Sequence, residues 1–284
     1  MPGTLFVVGT PIGNLGDLSR RARETLATVD LVAAEDTRRT GRLLAGFDIK
    51  VPLLSFFEGN ERQRLSQIVS RMLGGEDVAL VTDGGMPSVS DPGFRLVRAA
   101  AAEGIEVRVV PGPSAAVAAL VVSGLPTDRF VFEGFLPKKA AERMRRLENL
   151  AREPRTIVCF ESPGRVQVLL RDLLVALGDR QVAVARELTK LHEEVLRGRA
   201  SEVLSRVADL ELKGEVAVVI GGAPAEGAGD VTILIPETEA LVESGMRKRE
   251  AAHEVAERHG VSANALYRAL LARQTQQETS PFPN

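Results

Sequence analysis

The chain has 284 residues, 44% apolar and 26% charged, with a formal net charge of −2. That balance suits a soluble globular protein of two domains and a small appendage, and it argues against a blanket nucleic-acid binder, whose basic surface would show in the total. Aromatic residues are only 4% with no Trp, which disfavours an aromatic cage, and a single cysteine excludes an intramolecular disulfide and fits a reducing cytoplasm.

In chain order, TLFVVGTPIGNLGD (Thr4 to Asp17) reads as a strand running into a glycine-rich turn. The turn has Pro11 at its centre and neither G-x-G-x-x-G nor G-x-x-x-x-G-K-[ST] order, so no lysine is set to reach a phosphate. LSRRARETLATVD then has helical spacing, LVAAED reads as a second strand, and the shorter VPLLSF precedes a helix-like GNERQRLSQIVSRML. DVALVTD is a buried strand, DPGFRLVRAAAAEG a helix with Pro92 near its start and Gly104 after its end, and EVRVVPGPSA closes the series. Strands alternating with helices predict crossover connections and a largely parallel sheet, an N-terminal α/β domain over residues 1–113.

After Pro113 the rhythm changes. SAAVAALVVSGL reads as a short buried helix, and RFVFEGFLP, RTIVCFESP, QVAVARELT and GEVAVVIGG as strands interleaved with RVQVLLRDLLVALG and ASEVLSRVADL. They predict a second, mixed α/β domain over residues 114–222, with Cys159 a small core residue inside TIVCF. A Gly/Ala-rich linker is expected over 223–239, a helix-turn-helix-like extension turning at HGVS over 240–273, and a disordered tail over 274–284. His192, His253 and His259 have no zinc-like spacing, so no metal is expected. No signal peptide is read, and the longest apolar stretch, AAVAALVV, is far too short to span a bilayer, so the expectation is a cytoplasmic protein without membrane contact.

In open α/β sheets ligands sit outside the carboxyl ends of the strands. GTPIGN, AEDTRRT, TDGGMPSVSDPG and PGPSAA occupy that place here, and ESPGR and RELTKLHEE end strands of the second domain. Gly and Pro leave backbone open to close approach, so a cleft between the two domains is expected.

Taken in order, GTPIGNLGDLS, AAEDTRRT, TDGGMPSVSDPG, VPGPSA, GLPTDRFVFEGFLP, FESPGR and ARELTKLHEE resemble the tetrapyrrole-methylase superfamily, in its branch acting on small-subunit ribosomal RNA. The resemblance covers about residues 3–222, and GMRKREAAHEVAERHGVSANALYRALL resembles the branch's C-terminal helical extension. Gly84 departs from the Ala expected there, and a smaller residue at a turn does not threaten ligand binding. The resemblance implies two α/β domains holding S-adenosyl-L-methionine (SAM) between them, a homodimer, and methyl transfer to the ribose 2′-hydroxyl of a cytidine in the decoding region of 16S rRNA in the small ribosomal subunit. SAM carries no phosphate to cradle, which accounts for the unusual opening turn. Carried over by position, Ile12, Asp83, Met86, Ser114, Ala115, Phe160 and Ala217 become the cofactor-binding residues. Asp83 and Ser114 can hydrogen-bond the ligand, while Met86, Phe160 and Ala217 pack on its adenine; for Phe160 and Ala217 plain core packing is the competing role.

Such a transfer needs alignment of donor and acceptor and removal of one proton. Arg186, Glu187 and Lys190 in RELTK are the first candidates, with Lys190 made neutral by burial as a base and Arg186 gripping a phosphate. Glu35, Asp36 and Glu161 are the alternatives, and RELTK can equally be an ion-paired strand end. Local basic clusters occur at Arg20, Arg21 and Arg23, at Arg38, Arg39 and Arg42, and at Lys138, Lys139, Arg143, Arg145 and Arg146. The last is the preferred RNA-binding patch, against the plainer reading of each as a solvated helix face. The terminal helices suit either nucleic-acid recognition or a cap or dimer element. A methylase of a corrin precursor and a non-catalytic RNA-binding assembly factor are the rival functions; the basic patch and helical tail favour RNA over a small macrocycle.

Overall fold

The strands of the first half are short and each is followed by a loop and a helix, so the chain re-enters the sheet from the same end each time. The structure is a computed structural model and describes residues 1–208, 210, 213–223, 231–259 and 261–278. Strands β1 (Thr4–Val8), β2 (Leu31–Ala34), β3 (Leu53–Ser55), β4 (Val78–Val81) and β5 (Glu106–Val110) form a sheet of order β3-β2-β4-β1-β5. All its pairings are parallel. Helices α1 (Arg20–Thr28), α2 (Thr37–Ala45), α3 (Glu61–Leu73) and α4 (Phe94–Ala102) are the crossovers. Every residue of β2 and β4 is buried, the pattern of strands covered on both faces. Two separate clusters fill those faces, one around Leu5, Leu80, Phe56 and Met72 and the other around Val8, Val32, Leu26 and Leu44. Helix α4 starts later than expected: Gly93, at φ +135°, is its N-cap, and Pro92 ends the preceding loop.

The second half begins with α5 (Ala115–Ser123) and continues through β6 (Phe130–Phe135), α6 (Ala140–Asn149), β7 (Thr156–Glu161), α7 (Val166–Leu177), β8 (Gln181–Arg186), β9 (Glu194–Arg199), α8 (Ala200–Ala208) and β10 (Val216–Ile220). Its sheet order is β6-β7-β10-β8-β9, with β6 and β7 parallel and the other pairs antiparallel. Cys159 is fully buried at the centre of β7, and burial drives its thiol far above the ordinary range, as expected of a core residue. Helix α5 is buried on one side only. Ala116, Ala119 and Leu120 pack inward, whereas Val117 and Val121 are 48% and 67% exposed, because a helix laid on a sheet buries one stripe rather than its whole circumference.

Residues 1–221 form one compact unit that contains both sheets, and residues 222–284 form another. Within the latter, a 3₁₀ turn (Val231–Leu234) leads into α9 (Ile235–Glu243), α10 (Lys248–His259) and α11 (Ala263–Glu278) around Ile235, Ala252, Val255, Leu266 and Leu270. The helical region is therefore longer than the expected 240–273: α9 starts inside the stretch read as linker, and α11 continues to Glu278. Of the turn HGVS, Gly260 lies outside the described residues, as do 224–230 of the linker and 279–284 of the tail.

Candidate active site

The turns after β1, β4 and β5 are tied into one floor. Thr10 and Gly85 exchange backbone hydrogen bonds of 2.9 and 3.0 Å, and the Thr10 hydroxyl donates to the Thr82 carbonyl at 3.1 Å. Gly9 and Gly112 meet backbone to backbone: a Cβ on either would come within 2.7–2.8 Å of the other's main chain. Any side chain there would force the ends of β1 and β5 apart.

Above this floor lies a cleft of about 800 Å³, bounded also by the ends of β7, β8 and β10. All seven residues assigned to the cofactor by resemblance line it: Ile12, Asp83, Met86, Ser114, Ala115, Phe160 and Ala217. Ser114 also caps α5 through a 3.5 Å bond from Val117 N–H to its hydroxyl. Phe160 is braced by Phe132 and Phe135, with ring centroids 5.1 and 5.6 Å away. Phe135 itself lines the cleft and is 62% exposed, a wall residue that the sequence reading passed over.

The polar side of the cleft is dominated by carboxylates. The Asp83 N–H donates to Glu35 Oε2 and the Asp36 N–H to Asp83 Oδ1, each at 3.2 Å, and Arg39 pairs with Asp83 at 3.0 Å. Burial pushes the Glu35 carboxyl above its ordinary value, and the charge of Asp83 adds to that. Asp36 plays another part. Its carboxylate caps α2 and chelates Arg38, which holds it well below the usual range, and it does not line the cleft. Glu161 lines the cleft but is 2% exposed and ion-paired with Arg165 at 3.2 Å.

Asp91 is the functional candidate that the sequence reading missed. It lines the cleft from the loop between β4 and α4, where Ser88 and Ser90 have left-handed φ values of 71° and 64°. Two such non-glycine residues within three positions mark a loop held in a strained shape by its surroundings. Burial, then repulsion from Glu35, pushes the Asp91 carboxyl up to about 6.

The RELTK segment is arranged differently from expectation. Arg186 pairs with Glu194 at 2.7 Å, and neither it nor Glu187 lines the cleft. Lys190 does line it, but its ammonium reaches Glu187 at 2.9 Å and Glu215 at 3.2 Å. Burial acts to lower its pKa, and these hydrogen bonds and charges outweigh it, so Lys190 sits above the ordinary lysine value. A lysine neutralised by burial is therefore not what the structure presents. The segment is an ion-paired strand end, with Glu187 and Thr189 at left-handed φ.

The expected basic patch also divides. Arg143 is only 4% exposed, bonded to Asp172 at 2.7 Å and to the carbonyls of Pro137 and Lys138, so it anchors α6 rather than facing a ligand. Lys138, Lys139, Arg145 and Arg146 are exposed, with Lys139 paired to Glu142 and Arg146 to Glu133. Among the described residues no three His, Cys, Asp or Glu side chains are grouped as a metal site requires, and no helix is long and apolar enough to cross a membrane.

Comparison with known proteins fits this geometry. Residues 4–204 match the family of tetrapyrrole (corrin/porphyrin) methylases. The chain is 48% identical to a protein of Xylella fastidiosa (strain Temecula1) named ribosomal RNA small subunit methyltransferase I, over 94% of this chain and 98% of that one. A Thermotoga maritima protein of the same name is 52% identical, over 78% of this chain and 99% of its own. Among solved structures, uroporphyrin-III C-methyltransferase from Thermus thermophilus, complexed with S-adenyl homocysteine, has a TM-score of 0.55 at 22% identity, covering 77% of this chain and 97% of that one, which is a likeness of fold. The chain belongs to the tetrapyrrole methylase family and, within it, to the ribosomal RNA small subunit methyltransferase I family.

Proposed function

We propose that the protein transfers the methyl group of SAM to the ribose 2′-hydroxyl of a cytidine in the decoding region of 16S rRNA, acting in the cytoplasm as a homodimer without a metal. The observation that carries the reading is the mixed lining of the cleft, in which apolar Ile12, Met86, Ala115, Phe160 and Ala217 occur together with the carboxylates of Glu35, Asp83 and Asp91. The apolar residues suit an adenine, and the carboxylates suit a ligand that is cationic at its ammonium and sulfonium groups; a cleft of about 800 Å³ is within the range of small-molecule sites. The names of the relatives support the choice of ribosomal RNA over a macrocycle.

When bound, SAM supplies a methyl group activated by its sulfonium. The chain's own task is then to hold the ribose in line and take one proton from its hydroxyl. Asp91 is placed for that role, since it is on the cleft wall and raised towards neutrality while still ionised at pH 7. Glu35 is a second carboxylate in that lining. Lys190 has a supporting role, holding Glu187 and Glu215 together at the end of β8.

The test uses chemistry specific to the acceptor atom. A methylated 2′-oxygen cannot attack its neighbouring phosphate, so alkaline hydrolysis of 16S rRNA from treated small subunits should leave one band missing from the ladder, at a cytidine. Assembled subunits should be better substrates than naked RNA, because folding fixes the target backbone, and the DNA equivalent should not react. Label retained on a base, with every linkage still alkali-labile, would overturn the reading.

A further inference from the structure

A carboxylate-rimmed cleft poses a problem for an RNA substrate. Among the described residues, Glu35, Asp83, Asp91, Glu161 and Glu215 line it against only three cations, Arg39, Arg42 and Lys190. A polyanion is repelled by such a rim unless its phosphates are held where positive charge is free to meet them. Two of the three cations are already committed, Lys190 to Glu187 and Glu215 and Arg39 to Asp83. Arg42 is exposed on the cleft wall, and among the described residues its guanidinium has no ion-pair or hydrogen-bond partner.

Its position on α2 strengthens the point. Arg42 follows Arg38 by four residues and Arg39 by three, so the three guanidiniums share one side of the helix. Arg38 and Arg39 are 84% and 63% exposed at the side chain even while paired. In the α6 region Arg143 is buried and Lys139 and Arg146 are bound to neighbouring carboxylates, and although Lys138 and Arg145 are exposed without an ion-pair partner among the described residues, none of these five side chains lines the cleft.

We propose that Arg42 grips a phosphate flanking the target nucleotide, so that the RNA backbone crosses the cleft mouth along the exposed side of α2. The inference rests on the RNA-methylation reading above. A free guanidinium presents a planar fork that matches two phosphate oxygens, which a lysine ammonium does not. Holding one phosphate at the mouth lets the adjoining ribose enter while the charged backbone stays clear of the carboxylates.

The experiment compares wild type, Arg42→Glu and Arg42→Lys in methylation of small ribosomal subunits over a series of salt concentrations, with SAM binding followed by calorimetry. Arg42→Glu should raise KM for the subunit by about ten-fold or more, with the effect falling on KM rather than kcat. The slope of log KM against log salt should fall by about one. Arg42→Lys should keep the slope and lose part of the affinity, and neither change should alter SAM affinity. Unchanged KM and salt slope in Arg42→Glu, or a loss of SAM affinity in that variant, would overturn the proposal. Failure of the wild-type protein to methylate RNA at all would instead overturn the functional reading on which it rests.

Discussion

Two titratable side chains on the cleft wall are tuned away from each other's role. Lys190 is held as an ammonium by Glu187 and Glu215, so it has no free electron pair to offer a hydroxyl. Asp91 is raised to about 6 by burial and by Glu35, with Asp83 and Glu215 adding repulsion, and at neutral pH it is an ionised carboxylate of greater than usual basicity. Single-turnover methylation should therefore rise with pH through about 6 and level off above it. Asp91→Asn should lower the rate by about 10²-fold or more and abolish that inflection. Stability should move the other way. The folded value lies above the ordinary 3.8, so Asp91's contribution to stability is full below that value and is lost as pH rises through about 6. Removing the charge should then stabilise the fold at pH 7, by about 1 kcal/mol once solvent screening is allowed for. A variant with a near wild-type rate, or one whose thermal midpoint falls, would refute the assignment.

At the level of elements, the alternation of apolar runs and amphipathic helices made the parallel sheet legible, because β2 and β4 are buried on both faces and so are almost purely apolar. The glycine turns disclosed where the cleft lies, and the ordered motifs disclosed its apolar lining. Asp91 was not legible, since its raised pKa comes first from burial and then from Glu35, with Asp83 and Glu215 adding to it, and only folding buries it and brings those distant residues near. Arg143 was misjudged for a related reason. A sequence shows that α6 is basic, but Arg143 shares its inward stripe with Leu147, four residues on, and only packing reveals which side is turned in. The meeting of Gly9 with Gly112 was equally invisible, and it makes a prediction about the β1 and β5 ends. Gly112→Ala would set a Cβ about 2.8 Å from Gly9 backbone atoms. Overpacking of this kind costs about 1–3 kcal/mol, and here it also tilts the turns that carry Thr10 and Ser114. Denaturant unfolding should show that loss, and calorimetry should show SAM affinity reduced by more than the instability explains. Wild-type values in both would mean that the two strand ends are not held in register by this contact.

For the molecule as a whole, each compact unit has its own buried core. Residues 1–221 enclose the clusters of both sheets, and the helical unit is centred on Leu266, Leu270 and Val255. Among the described residues, all that line the cleft belong to the first unit. So do Val117 and Val121, which are exposed four residues apart on one face of α5 and, on the dimer reading proposed above, would be apolar surface for a second copy to cover. A chain ending at Ala223 should therefore keep a cooperative unfolding transition, bind SAM with the affinity of the full protein, and sediment as a dimer. Its deficit should be confined to the RNA, with KM for small subunits raised and the rate at saturation little changed, because the terminal helices would contribute contacts to the substrate rather than to the chemistry. The three readouts separate the roles open to those helices. A monomer that still binds SAM would make them the dimer element, a loss of the unfolding transition would make them a structural cap, and an unchanged KM would remove them from RNA recognition.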